Sequence, residues 1–67
     1  MELKTSKYEL VIKLLRENFK KKSCKKIYDI MEGSKNKIEA LEIIHKTFHN
    51  VENLEEKVIN ALDFFYK

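Results

Sequence analysis

The sequence has no proline, no tryptophan and no glutamine, and only one glycine, one cysteine and one arginine. Each absence removes a class of answer. Cys24 alone closes no internal disulfide and supplies no paired-cysteine zinc site, so a secreted disulfide scaffold is excluded. With Gly33 as the sole glycine there is no glycine-rich loop to cradle a phosphate. Material for hairpin turns is equally scarce, which argues against a β-barrel. No apolar run approaches the roughly 18 residues that span a bilayer. The segment Met1-Glu2-Leu3-Lys4-Thr5 lacks the apolar core of a signal peptide, so the expected location is cytoplasmic, with no membrane partner.

What is present favours helix. Lys, Glu, Leu and Ile dominate, and 43% hydrophobic with 37% charged residues is the balance of a soluble folded chain. The length of 67 residues allows a single helical domain over 1–67. A domain this small hides only about 60% of its unfolded surface, so its stability is marginal without help.

Apolar residues recur at helical spacing. Tyr8, Val11, Ile12, Leu15 and Phe19 form the first stripe, with Ser6 and Glu9 spaced as a capping box ahead of it. The pattern predicts helix over 6–20. Cys24, Ile27 and Met31, with Ile30 at the edge, form a second stripe about 130° away from the first if one helix continued. A break near Lys20 to Ser23 resolves the conflict, with Ser23 as the expected N-cap of the second helix. Gly33 and Ser34 end that helix. Asn36 and Glu39 open a third over 37–49, whose expected core face is Ile38, Leu41, Ile44, His45 and Phe48. Asn50 and Asn53, with Glu56 three residues after Asn53, offer caps for a fourth helix carrying Leu54, Val58, Ala61, Leu62 and Phe65 to the chain end. The expected fold is an all-α compact bundle of four short helices. The rival is three helices with a long first one.

Some apolar residues fall off these stripes: Leu10, Leu14, Ile43, Ile59, Phe64 and Tyr66. A small bundle has little room for them all. Ile43, Ile59, Phe64 and Tyr66 are therefore the candidate interface for a protein partner or a second copy in a homo-oligomer. This gives the leading expectation, a small non-enzymatic regulatory or interaction protein that docks an apolar helical face.

Charge is unevenly spread. Residues 1–37 hold eleven basic against five acidic side chains, and residues 38–67 hold three against six. Lys20, Lys21, Lys22, Lys25 and Lys26 form the densest block, joined by Lys35 and Lys37. Such a block contacts phosphates and releases counterions, so the alternative expectation is a nucleic-acid-binding module without sequence preference. Base-specific readout favours Arg, Asn and Gln, which this chain hardly supplies around its lysines. A helix-turn-helix over 27–44 fails, because Glu32 and Ser34 fall on apolar positions and Asp29 on a small one.

Two features suggest chemistry and fall short of it. Glu42, His45 and His49 follow a Glu-x-x-His-x-x-x-His spacing that places two imidazoles one helical turn apart. No second Glu-x-x-His exists to complete a di-metal bundle, so neither a metal nor another cofactor is expected. Cys24 sits among lysines, which lower a thiol pKa, yet its place on the stripe is that of a small buried hydrophobe. With no nucleophile–base spacing, no catalytic residue is expected. Tyr28 and Phe19 are the only aromatics near the lysine block, and because Phe19 belongs to the first stripe, Tyr28 is the candidate stacking platform for a base.

Overall fold

A computed structural model describes residues 7–67. Four helices are present: α1 (Lys7–Leu15), α2 (Lys21–Gly33), α3 (Lys37–Thr47) and α4 (Leu54–Phe65). Among the described residues there is no strand. Successive helices pack on one another and α4 returns to pack on α1, so the chain runs once round a ring. The four-helix expectation holds, and the long first helix does not occur.

The core lies inside this ring. Val11 and Leu15 of α1, Cys24, Ile27 and Met31 of α2, Ala40 and Ile44 of α3, and Leu54, Val58, Ala61 and Leu62 of α4 are buried together. No polar or charged side chain is buried among the described residues. Ile12, Leu14, Phe19, Tyr28, Ile30, Leu41, Phe48, Val51, Phe64, Phe65 and Tyr66 pack around this centre. Burying a large aliphatic side chain such as Leu15, Ile27, Ile44 or Leu62 contributes about 1.5–3 kcal/mol before the cost of ordering the chain.

The boundaries differ from expectation in three places. First, α1 ends at Leu15 and not near residue 20. The chain tightens there, with Asn18 and Phe19 amides both donating to the Leu15 carbonyl (3.0 and 2.9 Å). Phe19 lies against Phe48, ring centroids 6.1 Å apart. The amide of Asn18 reaches the Lys57 carbonyl of α4 (3.5 Å). The break thus falls just before the expected segment. Second, the N-cap of α2 is Lys20 and not Ser23, which lies within the first turn. Lysine offers no acceptor, and no side chain caps this end. Third, Asn53 occupies the N-cap position of α4 but in the left-handed region (φ 53°, ψ 37°), and its side chain makes no cap bond. The left-handed backbone re-aims the side chain, so the expected box with Glu56 does not close. The Ser6 half of the α1 capping box lies outside the described residues.

The α3 cap forms as its spacing predicts. The Asn36 side chain accepts from the Glu39 amide (2.9 Å), and the Glu39 carboxylate accepts from the Lys35 amide (3.1 Å). Its core face is nevertheless rotated. Ala40 is buried, whereas Ile38 is 71% exposed and His45 lies in solvent. Ile38 stands about 120° round the helix from Ile44 at 100° per residue. On the same helix Lys37 pairs with Asp63 of α4 (2.8 Å) at the surface. Gly33 closes α2 without a positive φ, and open space surrounds its Cα. Ser34 does the capping, its hydroxyl donating to the Ile30 carbonyl (2.6 Å) and its amide to Met31 (3.2 Å).

A basic face and groove across the first two helices

The lysine block occupies the first two turns of α2. Core residues Cys24, Ile27 and Met31 take one side of that helix, which leaves Lys21, Lys22, Lys25 and Lys26 on the other. These four and Lys20 are exposed, and none has a carboxylate partner among the described residues. No acidic residue lies in the first turn of α2. Lys20, Lys21 and Lys22 therefore stand at the positive end of the helix dipole, where cations are disfavoured, with Lys25 and Lys26 one turn further on. Lys35 is also exposed, in the α2–α3 connection. Lys37 differs, because Asp63 neutralises it, so it belongs with the α3–α4 packing rather than with the basic face.

The face continues onto α1 through an open groove of about 480 Å³. Tyr8, Glu9, Ile12 and Lys13 line it from α1, Arg16 from the turn that follows, and Lys21 from α2. Tyr8 is 40% exposed, not buried as its stripe position suggests. It meets Tyr28 edge to face, centroids 4.8 Å apart at 90°. Tyr28 in turn meets Phe65 at 5.6 Å, and Phe65 meets Tyr66 at 4.8 Å. Lys7 stands over the Phe65 ring at 4.6 Å and donates to the Phe65 carbonyl (3.1 Å), tying the start of α1 to the end of α4. Burial, and then the Glu32 carboxylate, push the Tyr28 phenol above its ordinary range. Tyr28 is therefore one link in an aromatic chain, and Tyr8 is its exposed end. That role of Tyr8 follows from the pairing of two helices and carries no signal in local spacing.

The remaining candidate residues scatter. Phe64 and Tyr66 pack against the core, and the Tyr66 hydroxyl donates to the Met31 carbonyl (2.6 Å). Burial is the main cause of a raised Tyr66 phenol. Ile43 and Ile59 are half-buried. Cys24 is wholly buried, and its thiol contacts the Phe19 carbonyl (3.6 Å). Desolvation pushes that thiol up in spite of Arg16, the reverse of what a reactive cysteine needs. Glu42, His45 and His49 are exposed, and α3 stops at Thr47 before reaching His49. Among the described residues no group of three acidic, His or Cys side chains is placed to hold a metal. No family model, curated protein or solved structure matches the chain.

Proposed function

We propose that this protein is a non-enzymatic nucleic-acid-binding module that grips phosphates with Lys20, Lys21, Lys22, Lys25, Lys26 and Lys35. One observation carries the reading: Lys20, Lys21 and Lys22 crowd the positive end of α2, Lys25 and Lys26 follow one turn on, and no carboxylate among the described residues offsets them. That placement costs stability and is accounted for by an anion bound there. Lys13 and Arg16 extend the same face across the groove. With one arginine and no glutamine in the chain, contact is to backbone and not to base edges. Among the described residues no helix is long and apolar enough to cross a membrane, and a cytoplasmic location is part of the proposal. Titration of labelled mixed-sequence DNA and RNA tests it. Affinity measured near 50 mM salt falls by orders of magnitude near 200 mM if several phosphates are held. Absence of binding to both at the lower salt defeats the proposal.

A second reading, self-association or docking on a protein partner through an apolar face, is favoured by Ile38. It is the most exposed large aliphatic side chain described, with Ile43 of the same helix half-buried. Sedimentation equilibrium tests the self-associating form. It requires a mass above 8.1 kDa that Ile38→Lys returns to the monomer value. A monomer at every concentration rejects that form.

A further inference from the structure

We infer that the α1–α2 groove takes a single strand, with an unpaired base laid against Tyr8 and Ile12 and the adjoining phosphates on Lys13, Arg16 and Lys21. The inference rests on the nucleic-acid reading above and adds which form of nucleic acid is held and by which residues. The groove has the two parts that single-strand sites combine, an aromatic surface at Tyr8 and a cationic track of Lys13, Arg16 and Lys21 that outweighs the one carboxylate on its wall, Glu9.

Tyr8 is suited to stacking because it is exposed and braced at once. Tyr28 meets it edge to face at 4.8 Å, and Phe65 backs Tyr28 at 5.6 Å. A braced ring loses little conformational freedom when a base settles on it. Ile12 lies one turn further along the same wall and offers apolar contact without competing hydrogen bonds. Arg16 follows directly after α1, its amide donating to the Ile12 carbonyl (2.8 Å), so it stands at the far end of the groove from Tyr8. Lys21, across the groove, is shared with the exposed lysine face, so a strand leaving the groove passes directly onto Lys22, Lys25 and Lys26. A duplex meets the outer lysines equally well but hides its base faces in the stack, so it has nothing to offer Tyr8.

Fluorescence anisotropy with a labelled mixed-sequence oligonucleotide, alone and annealed to its complement, tests the inference at one low salt concentration. The single strand is expected to bind more tightly than the duplex. Tyr8→Leu keeps the bulk but removes the ring, and is expected to weaken single-strand binding about 10-fold while leaving the duplex unchanged. Tyr8→Phe is expected to bind as the parent does. Quenching of tyrosine emission by the single strand, reduced in Tyr8→Phe, supplies a readout that survives if Tyr8→Leu fails to fold. If the parent binds neither form, the nucleic-acid reading itself falls. If the duplex binds as well as the single strand, or Tyr8→Leu affects both forms alike or neither, the groove inference alone is overturned.

Discussion

At the residue scale, local chemistry explains the helix ends better than residue identity does. Asn36 and Asn53 both precede a helix, yet only Asn36 uses its side chain as a cap. Asn53 is there for its backbone, because Asn tolerates the left-handed region better than most residues. The two sites therefore respond differently. Asn36→Ala costs about 1 kcal/mol through the lost cap. Asn53→Gly is neutral or better, whereas Asn53→Val is destabilising by about 1–2 kcal/mol, because a branched side chain resists a positive φ. Urea unfolding of the variants checks both. Gly33 has the opposite status to Asn53. Its backbone is ordinary and its surroundings are open, so Gly33→Ala is expected to stabilise by about 0.5–1 kcal/mol.

At the element scale, legibility followed how sharply apolar residues confine themselves to one face. Cys24, Ile27 and Met31 recur at clean three- and four-residue steps, and all three are buried. The apolar residues of α3 spread over most of its circumference, so spacing alone did not show that Ala40 faces inward and Ile38 outward. The α1–α2 turn was misplaced because no proline or glycine marks it. It shows instead in the amides of Asn18 and Phe19 both donating to the Leu15 carbonyl, which apolar spacing does not reveal. The lysine block was plain in sequence, but the groove was not, since it exists only where α1 lies against α2. The first turn of α2 also yields a prediction that separates function from stability. Lys21→Glu with Lys22→Glu places acids at the positive helix end and relieves like-charge crowding. Each change is worth about 0.3–1 kcal/mol, and 1 kcal/mol moves the melting midpoint of a small domain by about 4–8 °C. Calorimetry should therefore show the double variant melting higher than the parent while nucleic-acid binding falls.

At the scale of the whole molecule, the bundle is held by apolar burial, with charge left on the outside. The exposed Lys37–Asp63 pair adds only about 0–1 kcal/mol. Of the off-stripe residues, Leu14, Phe64 and Tyr66 pack on the core, while Leu10, Ile43 and Ile59 are half-buried. Stability is expected to decline in alkali. Cys24, Tyr28 and Tyr66 hold their protons more tightly in the folded chain than in the unfolded one, chiefly because burial disfavours the anion. As pH rises past about 9–10 the unfolded state sheds these protons first, so stability present below that range is lost above it. A melting-midpoint series across that range should fall steadily. Tyr66→Phe should flatten the fall, by removing one of the three groups.

The central claim, that the lysines of α2 hold phosphates, is tested most directly by the salt slope of binding to a mixed-sequence oligonucleotide. The parent should show a steep linear loss of log affinity with log salt. The variant Lys21→Glu, Lys22→Glu, Lys25→Glu, Lys26→Glu should remain folded, lose most affinity, and show a slope shallower by about 3, from 0.7–0.9 per phosphate contact. A parent that binds with a slope unchanged by these four substitutions, or that binds nothing at low salt, would contradict the account.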